Sequence, residues 1–179
     1  RPAPEASPVS GLLDIWRERQ HAVVTVVAAW LILTSPWIGM LRRVPSDPGW
    51  ANLAHVWLGL AALPLAAAYL YDCVRGGGWH QNFPWLSPRQ GALWSDLKGL
   101  LRGRLPAAEG GGLFGAIAGL TLLALLVAAA TGAAWYWTQG SSEALDWRAR
   151  HIVAARCLVG LLVAHIVAAS LHILDFIRD

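Results

Sequence analysis

Long apolar stretches alternate with polar segments along the chain, and four of the stretches are candidate membrane spans. They cover about residues 22–41, 51–71, 113–137 and 150–176. An α-helix needs about 20 apolar residues to cross about 30 Å of hydrocarbon, and each stretch is long enough. The pattern therefore predicts an all-α membrane protein whose four transmembrane helices form an up-and-down bundle.

The segments between the spans differ in length and character. Residues 42–49 and 138–147 are short connectors at one end of the bundle, whereas residues 74–112 form a long connector at the other end. Within the long connector, the Gly- and Pro-containing segment 76–88 argues against regular helix, and the segment 90–105 has an apolar side and a charged side. This amphipathic pattern predicts an interfacial helix on the inner leaflet. The apolar side carries Leu93, Trp94, Leu97, Leu100 and Leu101.

Composition indicates that the bilayer is the solvent of this chain. Of its 179 residues, 56% are hydrophobic and 14% are charged, and the mean hydropathy of +0.45 is too high for a soluble domain of this size. Nine of the 14 Lys and Arg residues lie in the N-terminal tail, the long connector and the C-terminus. Since basic residues accumulate on the cytoplasmic side, both termini are predicted inside, with residues 1–20 as a cytoplasmic tail and residues 21–179 as the membrane domain. Contact with the inner leaflet accounts for the net charge of +3, so the charge does not call for a nucleic-acid partner.

Four histidines lie within the predicted spans or at their ends. Burying a polar imidazole in hydrocarbon is costly, so each is a candidate functional group whose partner has to be identified. His151 and His165 are 14 residues apart, which corresponds to about 21 Å and nearly four turns of one helix. Both side chains therefore project from nearly the same face at different depths, which predicts two stacked sites.

Topology supplies one partner for each of these two histidines. The second and fourth spans both start at the outer side, so His55 can face His151, and the first span starts where the fourth ends, so His21 can face His165. Two imidazoles on facing helices hold b-type haem, and the sequence predicts an outer and an inner haem b whose iron is bound by these four histidines. His165 lies nearer the membrane centre than His21, so helix tilt has to close that gap. The alternative is that these side chains are hydrogen-bonded packing residues or lie among lipid headgroups.

Basic residues near the two predicted sites are candidates for binding the haem propionates, because arginine forms charge-assisted hydrogen bonds with carboxylates. Contact with lipid headgroups is the alternative for each of them. Neither Cys73 nor Cys157 belongs to a CxxCH motif, so covalent c-type haem attachment is excluded. The candidate propionate partners are Arg42, Arg43, Arg150 and Arg156 at the outer site and Arg17 and Arg19 at the inner site.

Four segments resemble a family of membrane cytochromes. Its first helix is similar to WRERQHAVVTVVAAWLILTS (16–35), its second to AHVWLGL (54–60), the end of its third to ATG (130–132) and its last to AHIVAAS (164–170). The family comprises the di-haem cytochrome b subunits of membrane-bound formate dehydrogenase (the gamma subunit) and nickel-iron hydrogenase, together with bacterial cytochrome b561. The order and spacing of the segments carry the resemblance.

The resemblance implies transmembrane electron transfer by the cytochrome b subunit of a larger oxidoreductase, in a respiratory chain of the bacterial inner membrane. A periplasmic redox subunit, of the iron-sulfur or cytochrome c type, would exchange electrons with the outer haem, and quinone near the inner face would exchange them with the inner haem. Carried over residue by residue, the family's ligands correspond to His55 and His151 for the outer haem and to His21 and His165 for the inner haem.

One segment departs from the family pattern. Formate dehydrogenase gamma subunits carry an Asn-Ala-Gly-Gln-Lys type sequence, linked to quinone binding, where this chain has PAAEGGGLFG (106–115). His172 lies seven residues beyond His165 on the same face, and it is a proton relay, an interfacial residue or the inner ligand in place of His165. The candidates for a quinone or proton site are Glu109, Ser170, His172 and Asp175, together with His80 and Asn82.

Two other functions stay open from the sequence. A stand-alone cytochrome b561-type quinone oxidoreductase, for example one linked to superoxide, agrees with the short outer connectors, which leave little surface for a large partner. A proton or metal transporter that uses the histidines as a relay predicts acidic residues within the spans, and none precedes Asp175 there.

Overall fold

The computed structural model describes residues 8–87, 90–104, 106 and 111–178, with side chains described from residue 15 to residue 170 of these ranges. Within them the chain consists of helices and turns and contains no β-strand. Two short 3-10 helices, Ser35–Trp37 and Pro84–Leu86, follow the first and third α-helices. The α-helices are α1 (Pro8–Thr34), α2 (Trp50–Arg75), α3 (Trp79–Asn82), α4 (Gly91–Leu100), α5 (Leu113–Trp137) and α6 (Glu143–Arg178).

Four of these helices, α1, α2, α5 and α6, are long and apolar enough to cross a membrane. The predicted all-α fold with four membrane-spanning helices is therefore confirmed. We call the end of the bundle where α2 and α6 begin the outer end, after the predicted orientation. The opposite end, which carries α3 and α4, is the inner end.

The helix limits differ most from the predicted spans in α1 and α6. α1 begins at Pro8, so a large part of the predicted tail 1–20 is helical, and it ends at Thr34 instead of residue 41. Proline has no N–H for a helical hydrogen bond, and Pro36 lies in the 3-10 turn that follows the helix. α6 begins at Glu143, ahead of the predicted residue 150, and two acidic residues in its first turn stabilise the positive end of the helix dipole.

The long helices do not pack equally closely against one another. α6 packs along α5, α5 packs on α2, and α2 packs on α1. In the described ranges no comparable packing joins α6 to α1 or to α2. The bundle therefore keeps space between α6 and the pair formed by α1 and α2. The main core cluster consists of Val24, Ala28, Ala66, Leu122, Leu125, Ala128, Ala154 and Leu158.

At the outer end, the connector between α1 and α2 is tied to α5 and α6 by hydrogen bonds. The Trp135 Nε1–H donates to the carbonyl oxygen of Leu41 at 2.9 Å, and the Arg148 Nε–H donates to the carbonyl oxygen of Met40 at 2.8 Å. Carbonyl groups outside regular structure need such partners when water is excluded. The two bonds fix the connector against the outer ends of α5 and α6.

At the inner end, α4 confirms the helix predicted within residues 90–105. Trp94 is 57% exposed and Leu101 is 89% exposed in the isolated chain, as expected of an amphipathic segment that faces lipid. Its contact with the inner leaflet stays a prediction.

The expectation that residues 76–88 contain no regular helix is wrong for one turn, α3. Gly77 has a φ of 75°, which allows the chain to turn from the end of α2 into α3.

The single turn α3 docks on a face of α5 that consists of glycines. A Cβ atom on Gly115 would overlap the carbonyl oxygen of Gln81, and a Cβ atom on Gly119 would overlap the carbonyl oxygen of Asn82. Only glycine permits this close approach of two backbones. The Gly-rich start of α5 is therefore explained by packing of the inner connector.

We expect Gly115→Ala to destabilise the protein by about 1–3 kcal/mol, the usual cost of overpacking, because the new Cβ meets a backbone atom that cannot move aside easily. Gly160→Ala is the matched control, since a Cβ at Gly160 meets no atom within 4 Å. Thermal unfolding in detergent, combined with limited proteolysis of the connector between α2 and α4, measures the effect. Equal stability and equal cleavage of the two variants would contradict the docking of α3 on α5.

Candidate functional site

A cavity of about 470 Å³ lies in the outer half of the bundle, lined by residues of all four long helices. It occupies part of the space between α6 and the pair formed by α1 and α2. Cofactor and small-molecule sites have volumes of about 300–1,000 Å³, so this cavity has a suitable size. His55 of α2 and His151 of α6, the predicted outer pair, both line it.

The rings of His55 and His151 face each other across the cavity. Their centroids are 6.3 Å apart and their planes are inclined by 80°. Two imidazoles bound on opposite sides of one metal ion have centroids about 6 Å apart, because each metal–nitrogen bond is about 2.0–2.1 Å long and each centroid lies about 1 Å beyond its nitrogen. The spacing therefore fits one metal ion held between the two rings.

His151 is oriented by a contact with α5. Its Nδ1 lies 2.9 Å from the carbonyl oxygen of Ala128, so Nδ1 carries the proton and Nε2 is left for a metal. A second hydrogen bond of this kind is typical of metal-binding histidines. Gly132 makes the contact possible, because a Cβ there would lie 3.2 Å from the Cε1 and Nδ1 atoms of His151.

His55 is held differently from His151. Its Nδ1 is buried and has no hydrogen-bond partner among the described residues. An unpaired buried nitrogen is costly unless a bound group supplies the interaction. Gly59, one turn further along α2, lines the same cavity, and a Cβ there would meet no atom within 4 Å.

Seven of the residues that line the cavity are glycine or alanine. They leave room between the helices for a flat ligand, and three of the polar lining side chains, Arg148, His151 and Arg156, lie on α6. The residues therefore fit the macrocycle of a haem, with iron between His55 and His151. The small lining residues are Ala28, Gly59, Ala62, Ala128, Ala129, Gly132 and Ala155.

Two arginines line the cavity, and only one of them was predicted. Arg156 lines it as expected for a propionate partner, and Arg148 lines it as well. Arg148 was missed by the sequence analysis, although it lies three residues before His151 and therefore near the same helix face. The guanidinium of Arg150 instead lies 4.6 Å from the ring centroid of Trp147, and Arg150 lines a separate groove on the outside of α5 and α6.

The remaining outer arginines lie in the connector between α1 and α2. Arg42 and Arg43 are exposed and do not line the cavity. The expectation that they reach the outer site is therefore not supported by their positions in this structure. Met40, in the same connector, has a buried side chain that lines the cavity.

The predicted inner pair is brought to the same end of the bundle, but its rings are not stacked in the way of the outer pair. His165 is close enough to His21 to interact with it electrostatically. His21 is exposed, and its ring centroid lies 5.9 Å from that of Tyr69. The Nδ1 of His165 is buried without a hydrogen-bond partner in the described part of the chain, and the ring of His165 lies 5.2 Å from that of Phe114 at an angle of 30°.

Gln20 is a buried polar residue beside the inner pair that the sequence analysis missed. It directly precedes His21, is only 2% exposed, and its Nε2 has no partner among the described residues. No signal in the sequence distinguishes it from a glutamine among headgroups. The predicted propionate partners Arg17 and Arg19 are exposed, and the Nε of Arg17 lies 3.8 Å from a carboxylate oxygen of Asp72.

The predicted quinone or proton residues are only partly described. Ser170 is exposed, and its hydroxyl donates to the carbonyl oxygen of Ile166 at 2.8 Å. His172 and Asp175 belong to α6, but their side chains lie outside the described residues, as does all of Glu109. His80 is exposed, with its Nδ1 at 3.3 Å from the hydroxyl of Ser87.

Comparison with known proteins gives one family for this chain. A family model described as prokaryotic cytochrome b561 matches residues 14–175. The matched range includes all four predicted ligand histidines and the whole of the outer cavity. No curated protein and no solved structure gives a match.

We expect Gly59→Leu to lower the haem content of the protein, because the new side chain would fill part of the cavity without meeting a protein atom at its Cβ. The fold of the haem-free protein should be kept for the same reason. Gly160→Leu is the control, since Gly160 lies on α6, is exposed and does not line the cavity. Haem per chain is measured by pyridine haemochrome, and unchanged content in Gly59→Leu would argue against this cavity as the haem site.

Proposed function

This chain belongs to the prokaryotic cytochrome b561 family, and on that premise we propose that it carries electrons through two haem b groups between a periplasmic redox partner and membrane quinone. Family membership and the four spans give the coarser part, a multi-pass bacterial membrane protein that uses haem b for electron transfer. The observation that carries the finer proposal is the pair of facing imidazoles, with centroids 6.3 Å apart, in the outer cavity.

At the outer site, His55 and His151 would hold the haem iron. The hydrogen bond from the Nδ1 of His151 to Ala128 fixes the ring and its tautomer, which raises the basicity of the ligating nitrogen. The alanines and glycines of the cavity wall leave space for the ligand. Haem b bound there supplies one-electron redox chemistry, which is a property of the cofactor.

At the inner site, His21 and His165 hold the second haem. Support comes from the proximity of the two side chains at one end of the bundle. In the described ranges α1 and α6 are not closely packed, so a relative movement of these two helices can bring the two rings together. The support for His165 over His172 is that the Nδ1 of His165 is buried and has no hydrogen-bond partner among the described residues.

Arg148 and Arg156 are the proposed propionate partners at the outer site. Both line the cavity, and the Nε of Arg148 is already engaged by the connector carbonyl of Met40, so its terminal nitrogens remain for an anion. A guanidinium binds a carboxylate through two parallel hydrogen bonds. At the inner site, Arg17 and Arg19 are the proposed propionate partners.

The quinone site is proposed at the inner end, next to the second haem. Gln20 is the best-supported donor, because its buried amide nitrogen has no partner in the described chain. Ser170 and His172 on α6 are further candidates for the quinone site. Glu109 and Asp175 are candidates on the basis of the sequence alone. With both termini inside, quinone reacts at the cytoplasmic side and the redox subunit docks on the periplasmic side of the inner membrane.

A stand-alone quinone oxidoreductase of the same family is the second candidate. The outer connectors are short and are bonded down onto α5 and α6, so they offer little surface of their own to a large subunit. A small anionic oxidant such as superoxide would be attracted by Arg148 at the cavity. The transporter hypothesis has less support, because His55 and His151 face each other at one depth and do not follow one another across the membrane.

Replacing a ligand should remove one haem and leave the other in place. We expect His55→Ala and His151→Ala to lose the outer haem, and His21→Ala and His165→Ala to lose the inner haem, since one imidazole alone holds the iron weakly. Reduced-minus-oxidised spectra and pyridine haemochrome quantification measure the loss. A wild-type chain without haem, after expression with adequate haem supply, would overturn the proposal.

Two further histidines serve as controls for that series. His80→Ala should keep both haems, because His80 is exposed on the inner connector. His172→Ala should keep them as well if His165 is the ligand. Loss of the inner haem from His172→Ala, with retention in His165→Ala, would move the ligand assignment to His172.

We expect Arg156→Gln to weaken retention of the outer haem by about 10- to 150-fold, which corresponds to the loss of a charged hydrogen bond of about 1.5–3 kcal/mol. The midpoint potential of that haem should fall, since a nearby positive charge favours the reduced form. Arg150→Gln is the control, because Arg150 lies over Trp147 and outside the cavity. Equal haem retention and equal potentials in both variants would contradict the assignment of Arg156.

A further inference from the structure

The first turn of α5 is held by a side chain from another helix. The backbone N–H of Leu113, the first residue of α5, donates to the carboxylate of Asp96 on α4 at 2.8 Å. α5 has no acidic residue in its own first turn, and Gly112, its N-cap residue, offers no side chain to the free N–H groups. Asp96 therefore caps α5 from outside, where a negative charge is favoured by the helix dipole.

The sequence around the start of α5 is adapted to this contact. A Cβ atom on Gly112 would overlap the carboxylate of Asp96. Gly115 and Gly119 leave space for the carbonyl groups of α3 on the same side of the helix. The inner connector therefore packs against one side of the first two turns of α5. At Gly115 and Gly119 the two backbones approach more closely than any residue other than glycine permits.

The residue next to Leu113 contacts the proposed inner ligand. The ring centroids of Phe114 and His165 are 5.2 Å apart and the ring planes are tilted by 30°, so the two rings are in contact. Phe114 points to α6, whereas Gly112 and Gly115 face the inner connector. A movement of the first turn of α5 therefore changes the position of the Phe114 ring against the imidazole.

The two ligands on α6 are oriented in different ways. His151 is fixed by the hydrogen bond between its Nδ1 and the carbonyl oxygen of Ala128. The Nδ1 of His165 has no hydrogen-bond partner among the described residues, and its ring is packed against Phe114. An aromatic ring thus takes the orienting role at the inner site that a backbone carbonyl has at the outer site.

We propose that Asp96 is a positioning residue for the inner haem: by fixing the first turn of α5 it sets the Phe114 ring against His165, and with it the orientation of the ligand and the midpoint potential of that haem. The inference rests on the proposed function, in which His165 is an inner ligand. Ligand orientation and the surroundings of the ligand are among the factors by which a protein tunes a metal site. Since Asp96 lies on α4, the connector at the inner surface becomes part of the redox site.

The test is a spectroelectrochemical titration of the full chain with both haems bound, together with low-temperature electron paramagnetic resonance of the oxidised haems. Asp96→Ala and Phe114→Leu should each shift the midpoint potential and the g-values of the inner haem, and the outer haem should keep its wild-type values in both. Asp96→Asn keeps an oxygen that accepts the Leu113 N–H, so its shift should be smaller than that of Asp96→Ala. The double variant should shift the inner haem no further than the stronger single variant, because both act through one contact.

Asp146→Ala is the matched control, since Asp146 is an exposed acidic residue in the first turn of α6 at the outer end; it should leave the inner haem unchanged. Two haems with unmoved inner potential and g-values in Asp96→Ala and Phe114→Leu would overturn this inference and leave the proposed function intact. A wild-type chain without a second haem would overturn both. If Asp96→Ala does not accumulate, Asp96→Asn and Phe114→Leu decide the question by the same two readings.

Discussion

A histidine inside hydrocarbon needs a polar partner, and the arrangement of this bundle follows from that constraint. α6 carries His151 and His165 and packs closely only along α5 within the described ranges. Its opposite side is left facing α1 and α2 across open space, and His55 meets His151 there. Alanine and glycine on α2 and α5 keep that space free. The small residues therefore serve to leave a cavity between the helices as well as to allow close helix packing.

The connectors at the two ends support the helices by different means. The outer connector gives backbone carbonyl groups to Trp135 and Arg148, so the cavity wall and the connector are fixed together. The inner connector gives backbone atoms of α3 to a glycine face and a carboxylate to the start of α5. His151 and His165, the proposed ligands on α6, therefore stand in unlike surroundings, and two haems bound there as proposed would differ in midpoint potential.

The parts of this structure that depend on periodicity could be predicted from the sequence. The spans, the all-α bundle and the facing of His55 and His151 follow from apolar length, helix pitch and alternating span direction. Gln20 and the bond between Asp96 and Leu113 could not be predicted, because burial and capping there depend on packing between distant segments. Arg148 is an intermediate case, since its spacing from His151 was visible but a guanidinium beside a span is usually a headgroup contact.

Both proposed ligands of α6 lie on the helix that is synthesised after the other three, which constrains the order in which the proposed sites can form. α1, α2 and α5 pack on one another in a chain of contacts that does not require α6. Neither histidine pair exists until α6 has entered the membrane beside α5. In the proposed scheme, haem binding by a histidine pair therefore follows the entry of α6, and a bundle truncated before α6 would offer only solitary imidazoles.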